Sequence, residues 1–299
     1  MRIKDCYKNK PVFSLEVFPP KPGSPLDGVF ATIDALADLR PDFISVTYGA
    51  AGGSRDYTVE IADTIKNKYG IEALAHLTCI NSTKEEVAAI LGRLQKVKIE
   101  NILALRGDRP ADQGTAPPPT DFQYASDLIG YIRSTADFCI GAACYPEVHI
   151  EAENAAADLR HLKRKVETGA DFLITQLFLD NNIFYAFREK LETMAIKVPV
   201  AAGIMPVLNK KQIERITSLC GASIPPKFRR ILDRYENNPE ALKEAGIAYA
   251  TEQIIDLLSS GVDGIHLYTM NRPEVAKTIF GQISGIRKHL KTEDGPPRL

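Results

Sequence analysis

Short apolar segments rich in β-branched residues alternate with longer amphipathic segments along the whole chain. The short segments have the length and composition of buried strands, and the long ones carry apolar residues at helical spacing. This alternation is typical of β/α units arranged around a parallel sheet. The predicted strands are Val12–Phe18, Asp42–Tyr48, Glu72–Thr78, Asn101–Leu105, Phe138–Cys144, Phe172–Phe178, Val198–Gly203 and Gly264–Thr269.

Every predicted strand is followed by a predicted helix. These helices are Asp27–Leu39, Arg55–Lys68, Lys84–Val97, Phe122–Ser134, Ala152–Thr168, Ile183–Met194, Lys210–Cys220 and Val275–Leu290. Pro225 and Pro226 interrupt the pattern after the seventh strand, and two further helices, Phe228–Tyr235 and Pro239–Ser259, precede the eighth. The pattern therefore predicts a single domain over 1–299, a (β/α)8 TIM barrel with a helical insertion between strands 7 and 8.

An open, doubly wound sheet is the alternative arrangement of the same units. Such a sheet normally binds a dinucleotide at a GxGxxG turn, and the chain has no such motif. The proline-rich segment 107–121 is either a mobile lid over the site or a structureless surface loop. The tail 291–299 is polar and is expected to be disordered.

The charge balance and the cysteines narrow the class of function. Lys and Arg total 37 against 38 acidic residues, so no overall field attracts nucleic acid or an anionic membrane. The five cysteines form no CxxC pair, which argues against a disulfide framework and against a thiolate metal site. The chain has no segment apolar enough to span a membrane. We therefore expect a cytoplasmic protein that binds small molecules, with no metal, nucleic acid or membrane partner.

Glu16 is the most unusual polar residue, because it interrupts the apolar first strand between Leu15 and Val17. A strand inside a closed barrel has no solvated edge, so a carboxyl group in it is buried for a purpose or faces solvent on an edge strand of some other fold. Burial is expected to raise its pKa, which would suit a general acid.

Other polar residues fall where the predicted strands end, and each allows a structural alternative. Thr47 has a good strand-forming side chain, and His76 is as compatible with a satisfied core position as with a ligand contact. His76 has no metal-binding spacing such as HExxH. The run Arg106-Gly107-Asp108 is either a ligand site or a structural ion pair in a loop.

The helix after the fifth strand carries Asp158, His161 and Lys165 on one face, with Arg164 beside them. Spacing alone allows a solvated charged face or a clamp for a phosphate and a ribose. Gln176 interrupts another buried strand, and its amide could pair with the edge of a heterocyclic ring.

The order and spacing of several motifs resemble those of the methylenetetrahydrofolate reductases, in particular the bacterial single-domain type. The motifs are FSLEVFPPK, SVTYGA, AHLTC, ILALRGD, YPEVH, DLRHLKRKVETGADFLITQLFLD, GIMPV and YTMNR. The resemblance implies a β/α-barrel flavoprotein of one-carbon metabolism and methionine biosynthesis. In that family NADH or NADPH reduces FAD, which then reduces 5,10-methylenetetrahydrofolate to the 5-methyl product in a ping-pong reaction. It also implies a homo-oligomer.

The resemblance assigns roles to individual residues. Glu16 corresponds to the general acid, and Asp108 to the aspartate that tunes the flavin and aids folate binding. Gln176, Gln212 and Arg272 correspond to further substrate contacts. The implied flavin contacts are Thr47, His76, Leu105, Arg106, Gly107, Asp108, Tyr124, Ala125, Tyr145, His149, Asp158, His161, Arg164 and Lys165.

Two residues depart from the family pattern. His161 stands where members tend to carry asparagine, which leaves a hydrogen bond possible but changes its pH dependence. Ile216 stands where bacterial members can carry a phenylalanine that stacks on the bound ligands. Two alternatives therefore stay open: another FAD barrel, such as a proline dehydrogenase-like enzyme, or an accessory subunit that binds folate or flavin for a partner reductase.

Overall fold

The computed structural model describes residues 1–21, 23–48, 54–108 and 121–290, with backbone only for 54–56. Its strands form one closed barrel in which each pairs in parallel with its sequence neighbours and β1 closes against β8. The strands are β1 Val12–Val17, β2 Phe43–Val46, β3 Glu72–Thr78, β4 Asn101–Leu105, β5 Cys139–Cys144, β6 Phe172–Thr175, β7 Val200–Ile204 and β8 Gly264–Tyr268. The predicted (β/α)8 TIM barrel is confirmed.

Helices surround the barrel. They are α1 Ile3–Cys6, α2 Asp27–Ala37, α3 Ser54–Asp63 with a π-helical continuation Thr64–Lys68, α4 Lys84–Lys96, α5 Ala125–Thr135, α6 Ala155–Thr168, α7 Asn181–Thr193, α8 Lys210–Cys220, α9 Pro226–Tyr235, α10 Pro239–Ser259, α11 Pro273–Gln282 and α12 Ser284–His289. Three of them, α8 to α10, lie between β7 and β8, as the predicted insertion requires.

The predicted boundaries differ from the structure in ways that local chemistry explains. The sixth strand was expected to reach Phe178 but ends at Thr175, because the Gln176 side-chain oxygen accepts the amide of Leu177 and turns the chain. The final helix was expected to be continuous and is divided at Ile283. The short N-terminal helix α1 was not predicted.

The interior of the barrel is apolar at its floor. Alternate residues of each strand point inward, and those nearest the amino-terminal ends pack with α1 and the buried Tyr7. This floor layer comprises Ile3, Tyr7, Val12, Phe43, Leu74, Leu103, Cys139, Phe172, Ile174 and Ala201. The layer closes one end of the barrel, so ligands must approach from the carboxyl-terminal end of the strands.

The hairpin of α8 and α9 packs over the carboxyl-terminal ends of β6 and β7. Leu177 follows β6 and Val207 follows β7, and both pack against Ile213 of α8 and Phe228 of α9 in one buried cluster. The insertion therefore lies beside the face where a barrel enzyme places its chemistry.

Two further features concern the described residues only. None of their helices has the length and apolar character needed to cross a membrane. No disulfide joins any of the five cysteines, all of which lie in this part of the chain. The segment 109–120, which holds most of the predicted lid, and the tail 291–299 lie outside the described residues.

Candidate active site

A buried polar cluster occupies the barrel interior above the floor. Ser14 Oγ lies 2.8 Å from His266 Nδ1, and His266 Nε2 lies 3.5 Å from Glu16 Oε2. Ser45 Oγ donates to the same oxygen of Glu16 at 3.4 Å, and His76 Nε2 lies 3.5 Å from it. Glu16 is only 9% exposed. Side chains from four adjacent strands, β8, β1, β2 and β3, thus meet at one carboxyl group.

Strand register and alternation explain this convergence. Ser14 and Glu16 are two residues apart, so both point inward. Ser14 is level with His266 on β8, and Glu16 is level with Ser45 on β2. The interior of the barrel is apolar below them, so the contacts of Ser14, Ser45 and His266 help to satisfy buried polar groups.

The pKa of Glu16 is shifted in the direction opposite to the one expected from its sequence. Burial raises its pKa, but the hydrogen bond from His266, the electrostatic interactions with His76 and His266, and the hydrogen bond from Ser45 outweigh burial and hold the pKa below the ordinary value. The expectation of a raised pKa in the ligand-free protein is therefore wrong. The sequence could not reveal that two histidines and a serine from other strands face this carboxyl group.

His76 is the neutral member of the cluster. Burial lowers its pKa to about 4, although the nearby Glu16 carboxylate opposes that shift. Its Nε2 atom is buried and makes no hydrogen bond within the described part of the chain. A buried nitrogen of this kind is available to a ligand that enters the top of the barrel.

Tyr268 forms the wall of the interior beside this cluster. Its hydroxyl donates to the Thr175 carbonyl at 2.7 Å, and its ring packs edge-on against His266 with centroids 5.2 Å apart. Gly203 makes this crossing possible, because a Cβ there would lie 2.7 Å from the Tyr268 hydroxyl and 2.3 Å from the Thr175 carbonyl. Burial raises the pKa of Tyr268, and the charges of Glu16 and Tyr145 raise it further.

A cavity of about 490 Å³ opens beside the carboxyl-terminal ends of β4 and β5. Most of the residues predicted to bind the flavin line it. Its walls comprise Ala104, Leu105, Arg106, Tyr124, Ala125, Ser126, Ala143, Tyr145, His149, Glu151, Ala152, Asp158, His161, Arg164 and Lys165. The charged face of α6 therefore forms a cavity wall, although spacing alone equally allowed a face in open solvent.

The cations of the cavity are held by groups of the protein itself. Lys165 Nζ donates to the Ala143 carbonyl at 2.6 Å, and burial lowers the pKa of this lysine. Arg164 lies 3.7 Å from Asp127, which in turn accepts the amide of Tyr124 at the start of α5. The cavity is therefore suited to an anionic ligand that replaces or joins these internal partners.

Aromatic rings line the same cavity. Tyr124 and His161 are stacked with centroids 6.2 Å apart, and Tyr145 meets His149 edge-on at 4.6 Å. Tyr124 is 52% exposed despite its size. Exposed rings around a charged cavity provide flat surfaces for a heterocyclic ligand.

The other predicted cofactor residues lie outside the lining of this cavity. His76 belongs to the interior cluster, and Thr47 follows β2, where its carbonyl accepts the hydroxyl of Thr58. Gly107 has a φ of +89°, and a Cβ there would lie 2.7 Å from the Ile80 side chain. Asp108 is exposed at the border of the segment that is not described.

The predicted substrate residues are distributed around the same end of the barrel. Gln176 follows β6, and its backbone N–H donates to the Cys144 carbonyl at 2.8 Å. Gln212 is exposed in the first turn of α8, where its backbone N–H donates to Asn209 Oδ1. Arg272 is exposed at the start of α11, and Ile216 is half-buried on α8. The roles of these residues stay predictions.

Sequence reasoning did not identify several polar residues that the geometry brings into the site, among them Ser14, Ser45, Glu151 and His266. A signal existed for Ser14, because strand alternation places it on the face of Glu16. His266 lies in an apolar strand and could have been examined as Glu16 was. Their mutual contacts depend on the pairing of distant strands, which spacing in one sequence does not report.

Comparisons with known proteins agree with this architecture. The family profile described as methylenetetrahydrofolate reductase matches residues 2–284. The 5,10-methylenetetrahydrofolate reductase of Escherichia coli (strain K12) is 40% identical over 277 residues, covering 93% of this chain and 92% of the relative. That of Pectobacterium carotovorum subsp. carotovorum is 38% identical over 266 residues, covering 89% and 88%.

Two more distant similarities extend the comparison. Methylenetetrahydrofolate reductase (NADH) 1 of Arabidopsis thaliana is 38% identical over 288 residues, which cover 91% of this chain and 49% of the relative. A Clostridium thermocellum protein whose structure holds two copies of 5-methyl-5,6,7,8-tetrahydrofolic acid has a TM-score of 0.67 at 15% identity, covering 95% and 98%, and shows the shared fold. On the family match and the bacterial relatives, the chain belongs to the methylenetetrahydrofolate reductase family.

Proposed function

We propose that this protein is an FAD-dependent reductase that converts 5,10-methylenetetrahydrofolate to 5-methyltetrahydrofolate with electrons from NADH or NADPH. The observation that supports it best is the joint presence of a buried Glu16 cluster and a charged, aromatic cavity at one end of a barrel of this family. The family match favours this activity over that of another FAD barrel such as a proline dehydrogenase-like enzyme.

The cavity offers groups that suit FAD. Its volume of about 490 Å³ lies within the range of small-molecule sites. Arg106, Arg164 and Lys165 supply positive charge for the diphosphate, Asp158 supplies oxygen acceptors for ribose hydroxyls, and Tyr124 supplies a flat surface for a ring. When bound, FAD would accept a hydride from the nicotinamide and deliver it to the folate.

In this proposal Glu16 supplies the proton that opens the five-membered ring of the substrate. Protonation of the ring nitrogen breaks its bond to the methylene carbon and leaves an iminium ion that can accept a hydride. Because the pKa of Glu16 lies below its ordinary value, a bound folate ring must raise it before the carboxyl group can act as an acid.

The neighbours of Glu16 can supply and hold this proton. The contact of His266 Nδ1 with Ser14 fixes the orientation of the imidazole and leaves its Nε2 facing Glu16. His76 stays neutral at physiological pH, with a pKa of about 4. In this proposal the imidazolium form of His266 passes its Nε2 proton to the Glu16 carboxylate across 3.5 Å as substrate binds, and a neutral imidazole remains.

We assign the remaining substrate contacts by residue type and position. The Gln176 side chain offers a donor and an acceptor to the edge of the pterin ring, and Asp108 offers an acceptor from the loop after β4. Gln212 contributes a further contact from α8, and the exposed Arg272 offers a charge-assisted bond to the glutamate carboxylates of folate. Nicotinamide and folate would use the same face in turn.

The experiment that tests this function is anaerobic reduction of the purified holoprotein by NADH and, separately, by NADPH. Reoxidation with 5,10-methylenetetrahydrofolate follows, with flavin absorbance recorded and the folate product identified by mass. We expect bleaching by at least one nicotinamide and stoichiometric formation of 5-methyltetrahydrofolate.

Each half of this experiment can contradict the proposal separately. A protein that purifies without flavin and gains none from added FAD would exclude the cofactor. Bleaching by nicotinamide without reoxidation by the folate would exclude the substrate. A requirement for a second protein in the first step would favour an accessory subunit.

A further inference from the structure

Arg106 lines the proposed cofactor cavity, but both of its terminal nitrogens already donate hydrogen bonds within the protein. Its two terminal nitrogens donate to the two carboxylate oxygens of Glu151 at 2.7 and 2.8 Å. Its Nε donates to the Gly107 carbonyl at 3.2 Å. A guanidinium group binds a phosphate most strongly through two parallel hydrogen bonds, so a phosphate could take Arg106 in this way only by displacing Glu151.

The backbone around Glu151 positions this carboxylate against Arg106. The amide of Glu151 donates to His149 Nδ1 at 3.0 Å, and the amide of Ala152 donates to the His149 carbonyl at 2.8 Å. The amide of His149 donates in turn to Asp158 Oδ2 at 3.1 Å. These hydrogen bonds connect the segment that carries Glu151 to α6. The Glu151 carboxylate thereby contacts Arg106 in the cavity wall.

The side chain of Glu151 is 43% exposed, whereas the side chain of Arg106 is 18% exposed. Water can therefore solvate the Glu151 carboxylate if a phosphate displaces it from Arg106. The arginine, in contrast, stays in the wall and keeps a pKa raised above its usual value by the Glu151 hydrogen bond.

We propose that Glu151 is an internal competitor for the phosphate-binding edge of Arg106, and that it sets the affinity of the protein for a diphosphate-containing cofactor. This proposal rests on the proposed function, since it assumes that FAD occupies the cavity. Glu151 and the diphosphate compete for the same two nitrogens of Arg106, and the glutamate moves to solvent when the diphosphate binds. Its negative charge also repels the diphosphate, which weakens binding further.

The test compares the release of FAD from three holoproteins: wild type, Glu151→Gln and Glu153→Gln. Glu153 is an exposed carboxylate two residues away, so its variant matches the change in net charge. Serial dilution releases flavin, and the rise in its fluorescence gives the Kd. We expect Glu151→Gln to bind FAD about 3- to 10-fold more tightly than wild type, and Glu153→Gln to be unchanged.

A second arm repeats the dilutions from low to high KCl. Salt screens a half-exposed ion pair, so the difference between wild type and Glu151→Gln should shrink as KCl increases. An unchanged or weaker affinity of Glu151→Gln would overturn the proposal and make Glu151 a positioning residue for Arg106. Equal tightening by both variants would also overturn it, because net charge would then explain the effect. Wild-type protein that binds no FAD would instead refute the proposed function, and the inference with it.

Discussion

The floor and the top of the barrel interior are built by the same strands but differ in chemistry. On β1 the floor residue is Val12, whereas the next inward residues are Ser14 and Glu16. On β2 Phe43 is followed by Ser45. Apart from the hydroxyl of Tyr7, the floor buries apolar groups, whereas the top buries polar groups that must satisfy each other. Inward residues only two positions apart on one strand therefore have different roles: the lower one contributes to stability, and the upper one belongs to the polar cluster.

This separation implies that substitutions at the two levels have different consequences. A floor residue should affect the free energy of unfolding and leave the pH dependence of the protein unchanged. A residue of the upper cluster should affect pH dependence and the folate half-reaction. The predictions below test this division, beginning with the largest expected change in stability.

Phe172→Ala should give the largest loss of stability. Phe172 is fully buried in the floor, where its ring lies 5.8 Å from Tyr7 and 6.3 Å from Phe43. Removing the ring leaves a cavity and should lower the free energy of unfolding by about 3–5 kcal/mol. Denaturant titration measures the change, with Tyr235→Ala on the surface as the control. A loss below about 1 kcal/mol would show that the floor does not close the barrel as described.

His76 should make the protein less stable in mild acid. Its folded-state pKa of about 4 is below the ordinary value of 6.5. Between these two values the unfolded chain binds a proton that the folded protein does not, so stability falls as pH falls, by up to about 3 kcal/mol in total.

Glu16 contributes to the pH dependence of stability in a separate pH range. Its lowered pKa gives stability that is present above its ordinary value of 4.5 and is lost as pH falls further. In the interval from pH 6.5 to 4.5 Glu16 does not contribute, but His149 does, because burial lowers its pKa as well. The difference between wild type and His76→Gln therefore isolates the contribution of His76. In this interval His76→Gln should reduce the slope of the free energy of unfolding against pH. The surface variant His289→Gln should keep the slope of wild type. Equal slopes in wild type and His76→Gln would contradict the burial of a neutral imidazole.

Ser14→Ala should have a moderate effect, because it leaves His266 Nδ1 without its contact at 2.8 Å. An unpaired buried polar group costs about 1–3 kcal/mol, and we expect unfolding to become easier by about that amount. The folate half-reaction should slow about tenfold and its pH profile should shift, since the orientation of His266 is no longer fixed. Ser218→Ala, on the exposed part of α8, is the control. An unaltered pH profile would remove Ser14 and His266 from the proton path.

Ile216→Phe should have the smallest effect. The residue is half-buried on α8, beside the cluster formed with Leu177 and Met205. A phenyl ring could stack on a bound heterocycle and add about 0.5–1.5 kcal/mol of binding, so the KM for the nicotinamide should fall by about 2- to 10-fold. Steady-state kinetics at fixed folate measures it, with Ile216→Leu as the control. A higher KM would indicate that the ring blocks the site.

The fold could be predicted from sequence because its signal is repeated along the chain. Each β/α unit carries its own apolar periodicity, and even large errors at one boundary leave the order of elements unchanged. The end of β6 was missed because it depends on a single side-chain contact of Gln176. The site was harder to predict, because Ser14, Ser45 and His266 matter only through contacts between strands that are distant in sequence.

Electrostatic properties were the least predictable part. The apolar neighbours of Glu16 correctly indicated burial, but the direction of its pKa shift depends on His266, His76 and Ser45. Likewise, Arg106 could be recognised as a candidate ligand contact from its loop, whereas its partner Glu151 lies 45 positions away. Which charges pair depends on the closed barrel, because the barrel brings together residues that are distant in sequence.

The most direct test of the role of Glu16 is a pair of anaerobic single-turnover measurements on the Glu16→Gln holoprotein. Reduction of the flavin by nicotinamide should proceed within about threefold of wild type, because no proton is required from the interior cluster in that step. Reoxidation by 5,10-methylenetetrahydrofolate should slow by about 10²- to 10⁴-fold, the usual contribution of a general acid. Equal slowing of both half-reactions, with FAD still bound, would contradict the assignment of Glu16 as the acid that opens the folate ring.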